Sequence, residues 1–149
     1  MTDFIDTGFL KTDEIFLRVN RLTKADPEKG FVPAYHFEIC LLDGTEVGNC
    51  DIRIGHNENT YFGGNIGYRV YEDYRGHSYA YKACCLLFEL ARRHSMEYLL
   101  ITCRPDNIPS RKTLEKLDGE LIEIADVPEK NDMRVNEGIE KVCVFKYYL

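Results

Sequence analysis

Apolar and polar residues alternate along three stretches of the first 63 positions. In Ala34 to Leu42, Tyr35, Phe37 and Ile39 share one side and His36, Glu38 and Cys40 the other, the period of a strand with one covered face. Asp43-Gly44 is a hairpin turn signal, and Glu46 to Ile54 continues as the partner strand, with Val47, Ile52 and Ile54 apolar. An earlier strand is expected from Glu14 to Leu22, with Leu17, Val19 and Arg21 on one face. Between these strands, Lys24 to Pro33 carries Asp26-Pro27 and Lys29-Gly30 and reads as a loop. Gly55 to Gly63, with Asn57 and Asn59, reads as a second polar loop, and Met1 to Asp13 has little periodicity. The pattern predicts an antiparallel meander.

From Gly64 to Gly119 the pattern changes. A short apolar strand, Ile66 to Val70, turns through Tyr74-Arg75-Gly76-His77-Ser78. A helix follows from Tyr79 to about Ser95, in which Ala80, Ala83, Cys84, Leu87, Leu90, Ala91 and His94 recur at steps of three and four. Arg92-Arg93-His94 complements the negative end of its dipole. Tyr98 to Cys103 is apolar almost throughout, as a strand covered on both faces should be. Asn107 caps a second helix that runs to Leu117, with Pro109 in its first turn. Strand, glycine turn, helix and strand form a βαβ unit whose turn offers free backbone N–H groups to an anion.

Gly119 to Val127 alternates as a strand, Pro128 to Gly138 is a charged loop, and Lys141 to Tyr148 is the last strand. The chain therefore predicts a single α+β domain over residues 1–149. Its central sheet has six or seven mostly antiparallel strands, one parallel crossover and two main helices.

Composition narrows the function classes. The net charge of −6 argues against a nucleic-acid-binding face. That charge is uneven: Arg69 to Lys116 holds nine Lys/Arg and six Asp/Glu, a local +3, which suits a small polyanion. No apolar run approaches the ~20 residues of a membrane span. The acidic start, Met1 to Asp6, lacks the features of a signal peptide, so a cytoplasmic protein is the expectation. The six cysteines form no Cys-x-x-Cys pair and the four histidines are scattered, so the expectation is buried thiols and no metal.

Val70-Tyr71-Glu72-Asp73-Tyr74-Arg75-Gly76-His77-Ser78-Tyr79-Ala80 resembles the cofactor motif Arg/Gln-x-x-Gly-x-Gly/Ala of the GNAT superfamily of acyl-CoA-dependent N-acetyltransferases. The segment Asn107 to Leu117 is similar to that family's second motif. Ser78 stands where a second Gly or Ala is usual, and Asp73 where Arg or Gln often begins the motif. Leu114 stands where many members place a tyrosine as general acid.

The resemblance implies transfer of an acetyl group from acetyl-CoA to a primary amine, on a small molecule or a protein, by direct attack in a ternary complex. It implies pyrophosphate on the amides of Arg75, Gly76, His77, Ser78, Tyr79 and Ala80, with added charge from Arg75. It implies a thioester oxygen bound by strand amides near Tyr68 to Val70, pantetheine contacts from Asn107 and Ser110, and a phosphate contact from Arg111. The attacking amine must be neutral and the departing thiolate needs a proton. Candidate bases are Glu72, Glu38 and Asp51, and candidate acids are Ser110, Tyr81 and Tyr61; each also reads as a solvated or packing residue. Leu114 keeps a second reading open, a catalytically inactive acyl-CoA sensor. A homodimer through the C-terminal strands is a further expectation; neither a nucleic acid nor a membrane is expected as a partner.

Overall fold

The computed structural model describes residues 3–149; Met1 and Thr2, which begin the acidic amino-terminal stretch, lie outside the described residues. The strands are β1 (Ile15–Thr23), β2 (Ala34–Leu41), β3 (Glu46–Arg53), β4 (Ile66–Val70), β5 (Tyr98–Cys103), β6 (Glu120–Asp126) and β7 (Lys141–Tyr148). The helices are α1 (Glu58–Gly63), α2 (Tyr79–Arg93), α3 (Ile108–Lys116) and α4 (Asp132–Glu137). The α+β class, the seven strands and the two longer helices match the sequence reading.

Two loops depart from it. Gly55 to Gly63 contains α1, and Pro128 to Gly138 contains α4. Each is a six-residue helix, too short to show a period, and each is fixed by its cap. Asn57 accepts from the Thr60 amide while the Thr60 hydroxyl accepts from the Asn57 amide. The Asn131 side chain accepts from the Met133 amide.

The expected single sheet is also divided. β1-β2-β3-β4 form one antiparallel sheet and β5-β7-β6 a second, and no ladder joins β4 to β5. The crossover through α2 links the two sheets. Tyr35, Phe37, Ile39, Cys50, Ile52 and Ile66 of the first sheet pack with Ala83, Cys84, Leu87 and Leu90 of α2 in one core. Leu99, Ile101, Cys143 and Phe145 of the second sheet belong to the same cluster. Cys40, expected outward with His36 and Glu38, is buried, because a register shift between Ile39 and Cys40 re-aims it. Five of the six cysteines are buried thiols and Cys85 is exposed.

The two sheets meet at Asn65, which is fully buried. Its amide donates to the Leu100 carbonyl at 2.6 Å and its Oδ1 accepts from the Leu100 amide at 2.9 Å. Its Nδ2 donates to the carbonyls of Arg53 and Gly55 at 3.0 and 2.7 Å. Beside it, Gly64 has φ +79°, and a Cβ there would lie 3.0 Å from the Thr102 amide nitrogen. Among the described residues no ladder continues from this point between β4 and β5, and the two strands diverge.

Burial lowers the proton affinity of His36, His56 and His94. His94 Nε2 lies 2.6 Å from the Tyr35 hydroxyl, on the back of the core. The unfolded chain takes up these protons near pH 6.5, whereas the fold resists them to lower pH. Stability from this source is complete above pH ~7 and is lost progressively as pH falls below ~6.5, toward the lower folded value. Thermal midpoints should therefore drop between pH ~7 and ~5, before the carboxylates titrate; a flat profile there would contradict this.

Candidate active site

The divergence of β4 and β5 opens a cleft of about 740 Å³. Its walls are Ile66 to Val70, Thr102 and Cys103, the start of α2, and the start of α3. In the β3–β4 ladder the bonds from Arg53 to Asn65 and from Tyr71 to Val47 set the alternation. The backbone N–H and C=O groups of Ile66, Tyr68 and Val70 therefore point away from β3, into the cleft. The side-chain Nε of Arg75 already donates to the Val70 carbonyl at 3.1 Å, which locks the turn against the strand.

At one end of the cleft lies the N-terminus of α2, fifteen residues long. Ser78 precedes it without a capping bond from its side chain. The first-turn N–H groups have no partner within the helix, and the helix dipole adds partial positive charge at this end. Gly76 has φ +89°, and a Cβ there would meet nothing within 4 Å, so the turn approaches open space. Ser78 also lies in the left-handed region, with φ +61°. That backbone favours Gly over Ser at this position: a Cβ in this region costs about 1 kcal/mol. Ser78→Gly should raise unfolding stability by about 1 kcal/mol, read as a higher denaturant midpoint at unchanged slope.

Two hydroxyls meet in the wall of the cleft. Tyr68 Oη and Ser110 Oγ lie 2.8 Å apart. Ser110 is fixed by helix geometry: the Asn107 side chain accepts its amide at 3.3 Å and starts α3. Burial pushes the Tyr68 hydroxyl up to about 12, opposed by its bond to Ser110, so Tyr68 keeps its proton at neutral pH. Cys103 borders the same space, and burial pushes its thiol up to about 11. Leu114, at the position matching the family's tyrosine, is fully buried and carries no proton to give. The hydroxyl of Tyr147 instead comes in from β7 and donates to the Leu114 carbonyl at 2.9 Å.

Of the residues singled out from the sequence, Tyr68, Val70, Arg75, Gly76, Ser78, Tyr79, Ala80, Asn107 and Ser110 line the cleft together. His77 is exposed in the same turn and Arg111 follows Ser110 on α3; neither lines the cleft. Glu72 is exposed in a 3₁₀ turn before Arg75. Tyr81 carries the Lys116 ammonium over its ring, 4.4 Å from the centroid, and is not among the cleft's walls. Glu38 is held by Arg18 at 2.8 Å, which keeps its carboxyl below the usual range. Tyr61 donates to Glu123 on β6.

Asp51 is placed differently. Its carboxylate oxygens lie 3.2 and 3.3 Å from where a Cβ of Gly67 would stand, and Gly67 is a wall of the cleft. Gly67, Arg69, Tyr74 and Thr113 also line the cleft, and the sequence reading missed them as site residues. A glycine inside an otherwise apolar strand is the signal that marked Gly67, since it denotes close approach. Asn65 has no comparable signal, because its role depends on a contact with β5.

Comparison with known proteins agrees with this geometry. Residues 10–120 match the family described as the acetyltransferase (GNAT) domain. A comparison with curated proteins gives no match. Among solved structures, the chain is similar to a Vibrio cholerae protein provisionally named a ribosomal-protein-serine acetyltransferase. The TM-score is 0.68 at 16% identity, covering 97% of this chain and all of that one. It is also similar to RimL, a ribosomal L7/L12 α-N-protein acetyltransferase, in complex with coenzyme A. There the TM-score is 0.61 at 20% identity, over 82% of this chain and 64% of that one. A third is the microcin C7 self-immunity acetyltransferase MccE, in complex with acetyl-CoA and AMP, with TM-score 0.61 at 19% identity over 78% and 61% of the two chains. The chain thus spans somewhat under two thirds of the latter two. At these identities the likenesses establish the fold.

Proposed function

Because this chain belongs to the GNAT acetyltransferase family, we propose that it transfers an acetyl group from acetyl-CoA to a primary amine, both bound together in the β4–β5 cleft. The observation that carries this reading is that one cleft is lined by the start of α2, with its unpaired amides, by a hydroxyl pair and by a free strand edge. CoA brings groups that suit each of these: pyrophosphate, an amide-bearing arm, and sulfur.

In this reading the pyrophosphate rests on the amides from Gly76 to Ala80, and Arg75 adds charge. Asn107 serves both the cap of α3 and the pantetheine arm, while His77 and Arg111 flank the phosphates. Cleft-edge amides of Tyr68 and Val70 donate to the thioester oxygen as negative charge develops on it. The amine nitrogen bonds to the carbonyl carbon, the C–S bond breaks, and the thiolate takes a proton from Ser110, which Tyr68 replenishes. Asp51, beside Gly67, takes the proton that the amine gives up. Glu72 and Tyr81 remain candidates acting from the turn and from α2. The reaction needs no metal, and the protein works in the cytoplasm.

The test is thermal denaturation with CoA and with pantetheine. A hundredfold excess over the dissociation constant adds about 2.7 kcal/mol, a rise of roughly 5–10 °C in the midpoint. CoA should give that rise, and pantetheine, which lacks the pyrophosphate, much less. No rise with CoA would overturn the reading. The second reading, an inactive acyl-CoA sensor, is favoured by Leu114; it predicts the same rise with no acetyl transfer to any amine.

A further inference from the structure

The face of the four-stranded sheet turned away from α2 carries charged side chains that the reading of the cleft does not use. Register places its residues in two rows across the strands. One row is Arg21, His36, Asp51 and Gly67; the other is Arg18, Glu38, Asn49 and Arg69. Both rows end on β4 at Gly67 and Arg69, which are walls of the cleft. Arg53 lies on the same face next to Asp51.

The charges on this face follow a pattern. Nearest the cleft is a carboxylate: Asp51 Oδ1 is held by Arg53 at 2.6 Å, and Oδ2 has no partner among the described residues. Gly67 puts no side chain between that oxygen and the cleft. Farther out the balance reverses. Arg18, Arg21, Arg53 and Arg69 outnumber Glu38, Glu46 and Asp51, in a chain whose net charge is −6. Arg18 and Arg53 are each held by one of those carboxylates. Arg21 and Arg69 are exposed and have no ion partner among the described residues. Burial, and after it Arg21, lower the proton affinity of His36 in the row.

We propose that this face is the docking surface for the acceptor. The acceptor is a polypeptide amino terminus that carries carboxylate side chains a few residues behind it. This inference rests on the acetyl-transfer reading of the cleft. The terminal amine enters beside Asp51 and Gly67, where the thioester carbon stands. The following residues run outward over the rows. Gly67 and Arg21 are separated by three strand spacings, ~14 Å, which an extended chain covers in four or five residues. Carboxylates near the third to fifth acceptor residues thus meet Arg69, Arg53 and Arg21. An open sheet face cannot enclose a small amine, but it can carry an extended segment. Electrostatic complementarity of this kind sets specificity and on-rate.

The experiment measures CoA thiol release from acetyl-CoA with three acceptors. These are an octapeptide with a free amino terminus and Asp or Glu at its third to fifth positions, the same peptide with Lys there, and a small alkylamine. The acidic peptide should show kcat/KM about tenfold above the basic one, an advantage that shrinks as salt is raised. Arg21→Glu, on the exposed edge strand, should remove the advantage and leave the alkylamine rate unchanged. Equal rates for the two peptides, or an acidic preference untouched by Arg21→Glu, would overturn the docking surface and leave acetyl transfer standing. No thiol release with any of the three would overturn the transfer reading and this inference together.

Discussion

Asn65→Ala is expected to lower the unfolding free energy by about 4 kcal/mol. The truncation leaves the Leu100 amide and the carbonyls of Arg53 and Gly55 without their partners, in a site with no solvent. Each stranded group costs roughly 1–3 kcal/mol. For a chain of this length, ~4 kcal/mol corresponds to a fall of roughly 8–16 °C in the thermal midpoint. Asn65→Asp should be nearly as damaging, since a carboxylate can accept from Leu100 but cannot donate to the two carbonyls. The effect also reaches function. Asn65, just before β4, bonds the chain to β5, and the cleft lies where no ladder joins the two strands. Where the variant stays folded, its affinity for CoA should fall too. A variant with wild-type stability would show that the sheets are held by apolar packing alone.

Ser110→Ala should lower kcat about a hundredfold and leave the KM for acetyl-CoA nearly unchanged, because the hydroxyl is needed when the thiolate departs. Tyr68→Phe should have a smaller effect, about tenfold, because Tyr68 acts through Ser110. The double variant should be no slower than Ser110→Ala alone, the non-additivity expected of groups acting in series. Tyr68 sits at about 12 because of its burial, so the wild-type rate should show no falling limb near pH 10, where an ordinary tyrosine titrates. An unchanged kcat in Ser110→Ala would move the proton source elsewhere, with Tyr81 the next candidate.

The helix N-terminus at the cleft was legible in the sequence because its physics is local. A strand, a glycine turn and an amphipathic helix are contiguous, so Gly76 to Ala80 could be placed before the fold was known. The cap of α3 by Asn107 was legible for the same reason. The rest of the cleft depends on contacts between distant segments. Tyr68 and Ser110 are 42 residues apart, and nothing in either neighbourhood announces their bond. Asn65 and Leu100 are 35 apart, and the division of the sheet follows from them. Local apolar patterning assigned β4 and β5 correctly as strands, yet it cannot say whether two strands pair. α1 and α4 escaped because six-residue helices are made by capping bonds, which leave only an asparagine as a trace.

The most direct measurement follows the acetyl group itself. Purified protein is incubated with acetyl-CoA labelled in the acetyl carbon and a panel of primary amines, including peptide amino termini. The label is then sought in the acceptor while free CoA thiol is counted. The account predicts label on an amine nitrogen, one thiol released per acetyl transferred, and loss of both in Ser110→Ala. CoA-dependent stabilisation with the label retained on CoA against every amine would contradict it, and would make the cleft a sensor of acyl-CoA.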